Sequence, residues 1–214
     1  MSGSVKSQGV APGRTLDGLL EWGVAHRCHR DETVSGDRAV IALRAGGVLF
    51  AVLDGLGHGP AAAHAAAVGA GVIDAHSDDD LVSLAERCDR AMRMTRGAAA
   101  GFALVTRRPV TLTWLAVGNV TGCILRGLRG PPSMIALPVV RGALGVPWLR
   151  ARLATQPLQR GDLLAITTDG IQPTFADHVR AVGGAHQLAE GIVASHARPN
   201  DDALAVIVRY LGRS

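Results

Sequence analysis

Val52-Leu53-Asp54-Gly55-Leu56-Gly57-His58-Gly59 sets an acidic residue at the end of an apolar run, Val48 to Leu53, and follows it with three alternating glycines. The run reads as a buried strand, and the glycines let the backbone turn sharply behind Asp54. On the far side Pro60 to Ile73 is Ala-rich and opens with Pro in its first turn, where the missing amide hydrogen costs nothing, so a helix is expected there. On the near side Ala39 to Leu43 is a second strand-like run, which makes the unit strand, strand, Asp-Gly turn, helix.

Working outward, further apolar runs bounded by Gly, Asp or Pro are expected as strands: Phe102 to Thr106, Leu112 to Val117, Cys123 to Arg126, Leu163 to Thr168 and Ala203 to Tyr210. Asp78-Asp79-Asp80 before Leu81 to Met94 reads as a capped helix start, with its acids at the positive end of the dipole. A third helix is expected over Gly184 to His196, and Pro131 to Trp148 reads as a surface loop that could contact a substrate. Strands in adjacent pairs, interrupted by helices, favour α+β layers with antiparallel pairing.

Asp54 has company. Asp169 ends the run Leu163 to Thr168, Asp201-Asp202 begins Ala203 to Tyr210, and Asp37 precedes Ala39 to Leu43. Opposed antiparallel strands, one ending and one beginning in Asp, bring their carboxylates to the same end of a sheet. Carboxylates gathered beside apolar strands raise one another's pKa unless a cation neutralises them, and an oxygen-only set suits Mg²⁺ or Mn²⁺ rather than zinc. The Gly55 carbonyl is a further candidate oxygen ligand. Each Asp-Gly alone reads more often as a plain turn, and it is their coincidence that favours a site.

With these residues assembled, the sequence resembles the protein phosphatase 2C superfamily, and within it the bacterial branch containing SpoIIE, RsbU and RsbX. The resemblance runs from Trp22 to Tyr210 through Val34-Ser35-Gly36-Asp37, Val52 to Gly59, Val117-Gly118-Asn119-Val120, Thr168-Asp169-Gly170-Ile171 and Asp201-Asp202-Ala203, in the family's order. The last departs from the commoner Asp-Asp-Met-Thr, and its first aspartate, Asp201, is aligned with the family's ligand in preference to Asp202. The resemblance implies a four-layer α-β-β-α sandwich of two mainly antiparallel sheets flanked by helices, formed by residues 22–214 after an extension over 1–21. It implies that Asp54 bridges two Mn²⁺ or Mg²⁺ ions, that the Gly55 carbonyl binds one, and that Asp37, Asp169 and Asp201 complete the shell of the other. The chemistry implied is hydrolysis of phosphoserine or phosphothreonine by a water that the two ions activate. The economy of the chain is most like RsbX, whose substrates are phosphorylated STAS-domain proteins of the stressosome; a phosphorylated anti-sigma-factor antagonist is the alternative substrate.

Composition fits this reading. The chain has 214 residues, 48% hydrophobic and 19% charged, with aromatics at 3%, so one core built from Ala, Val, Leu and Ile is expected. The net charge of +4 is spread thinly and aromatic stacking platforms are lacking, which argues against nucleic acid. Cys28, Cys88 and Cys123 stand far apart and are odd in number, which points to a reducing compartment, the cytoplasm, and no run reaches transmembrane length. A monomer is expected.

Two readings of other classes compete. A strand followed by Gly55-x-Gly57-x-Gly59 resembles a dinucleotide-binding turn, with Asp74 as the later acid, but Pro60 occupies the third glycine position of that pattern and no βαβ repeat follows. An inactive binding module that keeps the fold is opposed by the presence of all four aspartates. His26, Cys28 and His29 give no second ligand pair for zinc. His58 is expected either to orient a reacting group or to cap the helix near Pro60, and Asn119 is expected to stabilise its turn.

Overall fold

A computed structural model describes residues 15–16, 18–126, 133–146, 151–179 and 183–212. The chain runs through β1 (Thr15–Leu16), β2 (Leu20–Arg27), β3 (Asp37–Arg44), β4 (Gly47–Gly55), α1 (Gly59–Ala75), α2 (Leu81–Met92), β5 (Ala98–Thr106), β6 (Thr111–Val117) and β7 (Thr121–Arg126). It continues through β8 (Ser133–Ala136), β9 (Ala154–Pro157), β10 (Leu163–Thr167), α3 (Phe175–His178), α4 (Ala185–His196) and β11 (Ala203–Tyr210). One sheet has the order β1-β2-β11-β10-β7-β8 and the other β3-β4-β5-β6-β9, and all the strand pairs are antiparallel.

The two central strands explain the layers. In β4, Val48, Phe50 and Val52 join the core between the sheets, while Leu49, Ala51 and Leu53 join a second core under α1 and α2. In β11, Leu204, Val206 and Val208 face the inter-sheet core, while Ala203, Ala205 and Ile207 face α3 and α4. Side chains alternate with period 2, so a strand covered on both faces must be apolar at nearly every position. Four layers result: α1 and α2, sheet, sheet, α3 and α4.

Small residues bring α1 close to the sheet. Ala62, Ala65, Ala66, Gly69 and Ala70 are buried along it, and a Cβ on Gly55 would stand 2.1 Å from the Ala62 carbonyl oxygen. No side chain fits there. That approach holds the start of α1 against the end of β4, where Asp54 lies.

The helix α2 begins as its acids predict, since the Asp80 carboxylate accepts from the Val82 and Ser83 backbone amides at 3.0 Å each. These bonds and the Ser83 hydroxyl hold the Asp80 carboxyl below its ordinary range. Asp80→Ala is expected to cost about 1 kcal/mol, measurable as a lower urea midpoint at unchanged slope.

Several expectations shift. β1, β2, β8, β9 and α3 were not read from the sequence; β2 begins at Leu20, and Leu19 and Leu20 are buried, so the sheet takes up residues ahead of Trp22. The segment read as the loop Pro131 to Trp148 carries β8, and bridges at Val140 and Leu144 strap it to β6 and β5; residues 131, 132, 147 and 148 lie outside the described residues.

Candidate active site

Two sheets, rather than one edge, deliver the aspartates. Asp37 and Asp54 stand directly opposite each other in the β3–β4 register, at one end of their sheet. In the other sheet Asp169 follows β10, and Asp201-Asp202 precede β11, which pairs antiparallel with β10 through Thr167↔Ala205. The two pairs are stitched together across the sandwich. The Thr168 hydroxyl donates to Asp37 Oδ2 at 2.7 Å and accepts from the Leu204 amide at 3.0 Å.

Crowding shows in the protonation of these groups. The Asp54 carboxyl is pushed up from 3.8 to about 8, first by burial and then by the charges of Asp169 and Asp201. Asp37 is raised well above its ordinary value by burial and by Asp54, against the opposing hydrogen bond from Thr168. Asp201 is raised by partial burial and by Asp169. Asp37, Asp54 and Asp201 are thus disfavoured as carboxylates by burial and by their neighbours, which is the electrostatic condition a bound cation relieves.

The neighbouring aspartates differ in what they can offer. Asp202 is buried, and its two oxygens accept from the His29 and Gly36 amides at 2.8 Å each, so it ties two loops together. Asp201 is less buried, and neither the His29 nor the Gly36 amide reaches its carboxylate. Asn119, expected to serve its own turn, instead donates from Nδ2 to Asp169 Oδ2 at 2.6 Å. Arg198 reinforces the same place by donating Nε to the Asp169 carbonyl at 2.9 Å.

His58 occupies the N-cap position of α1, yet its side chain makes no capping bond. It pairs through Nδ1 with Glu32 Oε1 at 2.6 Å and stacks on His29 with ring centroids 5.2 Å apart. Glu32 and His29 belong to a polar loop with no sequence signal, since only the fold brings residues 29–32 beside residue 58. Cys28, near them, donates Sγ to the Glu32 carbonyl at 3.4 Å, and burial together with Asp202 raises its thiol pKa.

Among the described residues, no three His, Cys, Asp or Glu side chains are closed tightly enough to hold an ion as they stand. The donor set is nonetheless made of carboxylates, flanked by the Gly55 carbonyl, without thiolate or imidazole. Its composition and its raised carboxyl pKa values fit hard divalent cations such as Mg²⁺ or Mn²⁺.

The Stage II sporulation protein E (SpoIIE) family matches residues 44–213. This chain belongs to the SpoIIE family. It is 27% identical over 161 residues to the phosphoserine phosphatase RsbX of Bacillus subtilis (strain 168), covering 75% of this chain and 79% of that protein. A solved structure from work on the bacterial stressosome, described as a modular system adapted to control secondary messenger signalling, is 31% identical. It superposes with a TM-score of 0.79 over 89% of this chain and 99% of its own. RsbX in complex with magnesium superposes equally well, TM-score 0.79, at 22% identity, over 90% of this chain and 96% of that one, which establishes the shared fold. SpoIIE-family membership and this architecture make the chain a protein phosphatase 2C-like enzyme, a phosphoric monoester hydrolase similar to RsbX.

Proposed function

We propose that the protein is a metal-dependent serine/threonine phosphoprotein phosphatase with an RsbX-like role, removing phosphate from STAS-domain proteins of a stressosome to reset stress signalling. The observation that carries the reaction is the convergence of Asp37, Asp54, Asp169 and Asp201 from two sheets, with Asp54 pushed to about 8 by burial and by its neighbours. The likeness to a structure from the bacterial stressosome, at 31% identity over nearly its whole length, supports the substrate class.

In this reading Asp54, the Gly55 carbonyl, Asp37, Asp169 and Asp201 would hold two Mg²⁺ or Mn²⁺ ions, and Asp202 fastens the loops beneath. Bound there, the pair of ions supplies an acidified water and neutralises phosphoryl oxygens. The chain's own groups set the geometry. Thr168 orients Asp37 across the sheets, and Asn119 orients Asp169. Neither a cysteine nucleophile nor a dinucleotide site is needed: Cys88 and Cys123 are buried with thiols pushed up to about 12.

Asn119→Ala removes the hydrogen bond to Asp169. Loss of such a supporting partner is expected to shift the Mn²⁺ midpoint for activity upward by roughly tenfold, with a smaller change in saturated rate. Among the described residues no helix is long and apolar enough to cross a membrane. We place the enzyme in the cytoplasm, acting as a monomer.

The substrate is tested by incubating the protein and Mn²⁺ with phosphorylated STAS-domain proteins and with a phosphorylated anti-sigma-factor antagonist, and weighing phosphate loss by mass spectrometry. Dephosphorylation of the STAS stressosome proteins is the expected result. Removal from the antagonist alone would assign the other role.

A further inference from the structure

Beside the aspartates lies a surface that the hydrolytic reaction leaves unused. Arg96 is exposed and immediately precedes Gly97, whose carbonyl accepts from the Leu56 amide at 3.0 Å. Its guanidinium lies over Gly57: a Cβ on Gly57 would stand 2.7 Å from Arg96 Nη1, and Gly57 itself has φ +89°. An L side chain at 57 is therefore opposed by backbone strain. The backbone under Arg96 is fixed, since the Thr95 hydroxyl donates to the Met92 carbonyl at 2.7 Å and accepts from the Gly97 amide at 3.0 Å.

Apolar side chains flank this cation. Leu56 is 38% exposed and Val146 41%, and Val146 Cγ2 comes within 3.1 Å of the point where a Cβ on Gly97 would stand. The Val146 segment is held in turn by the paired bonds between Ala98 and Leu144, at 3.1 and 2.8 Å. Three loops thus present Leu56, Arg96 and Val146 side by side, with Leu56 two residues along the chain from Asp54. Arg96 makes no hydrogen bond or ion pair with any described residue. An exposed arginine whose donors meet no described partner is complementary to a carboxylate.

We propose that Leu56, Arg96 and Val146 form a docking lip that selects protein substrates carrying an acidic side chain and an apolar side chain next to the phosphorylated residue. Arg96 is the specificity determinant of this lip, and it acts on the segment flanking the phosphate rather than on the phosphoryl group. The proposal rests on the phosphatase reading of the adjacent aspartates.

The experiment measures kcat/KM with Mn²⁺ for three probes: p-nitrophenyl phosphate, a phosphoserine peptide flanked by Leu and Asp, and the same peptide with Lys for Asp. The wild-type protein is expected to prefer the acidic peptide over the basic one. Arg96→Ala is expected to lower its value for the acidic peptide roughly tenfold while the small ester changes less than about twofold. Arg96→Glu is expected to reverse the preference, and Arg96→Lys to retain part of it. Equal loss on ester and peptide would overturn the lip in favour of a phosphoryl contact. Unchanged peptide kinetics in Arg96→Ala, no wild-type preference, or failure of a wild-type protein active on the ester to cleave the acidic peptide would also overturn it. Absence of any metal-dependent ester hydrolysis in the wild type would instead sink the phosphatase reading itself.

Discussion

Asp54→Asn is expected to lower kcat/KM for p-nitrophenyl phosphate by about a thousandfold or more at saturating Mn²⁺, while the protein remains folded. Asp54 faces Asp37 across the β3–β4 ladder and is coupled to Asp169 and Asp201 from the other sheet, so it stands between the two pairs. An amide of the same shape keeps the packing, but it offers one neutral oxygen where the carboxylate offers two charged ones. Removing one electrostatic element aimed at a reacting phosphoryl group typically costs a hundred- to a thousandfold, and loss of a bridging ligand compounds that by weakening metal retention. Asp201→Asn is expected to act in the same direction. Asp202→Asn should differ in kind: the amide's NH₂ would confront the His29 or Gly36 amide now donating to that carboxylate, so loss of stability should accompany loss of activity. Thermal melts run beside the kinetics separate the two outcomes.

The same crowding predicts the second large effect, on stability. The Asp54 carboxyl titrates near 8 in the folded protein against an ordinary 3.8, so the folded state holds its proton more tightly than the unfolded chain does. A group raised in this way contributes stability that is fully present below the unfolded value and lost as pH rises through the folded one. Chelator-treated protein should therefore lose a few kcal/mol between about pH 4 and pH 9, at about 1.4 kcal/mol per pKa unit. For a chain of this size that corresponds to roughly 5–10 °C in Tm. Mn²⁺ should flatten the profile by replacing the proton, and Asp54→Asn should flatten it without metal while melting higher than the wild type at pH 8. A metal-free profile that rises with pH over this interval would contradict the arrangement of carboxylates.

Such a variant, more stable and inactive, is the signature of a site whose charges are held together against their own repulsion. It also explains which parts of the molecule could be read from the chain alone. β4 and β11 were legible because layers cover both of their faces, which forces apolar residues at consecutive positions, and the aspartates were legible because each interrupts or borders such a run. β2 carries Glu21, His26 and Arg27 and packs Gly23 against the α4 backbone at His186, so neither alternation nor an apolar run marks it. β8 and β9 lie at sheet edges, with exposed or half-exposed side chains at every position, and offer no hydrophobic signal.

The site was legible as a set of residues but not as an assembly. The β3–β4 pairing joins Asp37 to Asp54 and the β10–β11 pairing places Asp169 near Asp201, but that these pairs lie in different sheets meeting across the core depends on packing between segments more than a hundred residues apart. The links that complete it, Thr168 to Asp37 and Asn119 to Asp169, join side chains separated by 131 and 50 positions and leave no mark in local spacing. Glu32 pairs with His58 across 26 positions for the same reason. Asp201 and Asp202 are adjacent and chemically identical, and it is burial and the His29 and Gly36 amides that tell Asp202 apart.

The central claim is that these four aspartates make a metal-dependent phosphatase. Its most direct test is p-nitrophenyl phosphate hydrolysis by chelator-stripped protein as Mn²⁺ or Mg²⁺ is titrated back. Activity near zero without metal, restored by either ion in the wild type and by neither in Asp54→Asn, is the result predicted. Hydrolysis that proceeds without metal, or that survives intact in Asp54→Asn, would contradict it.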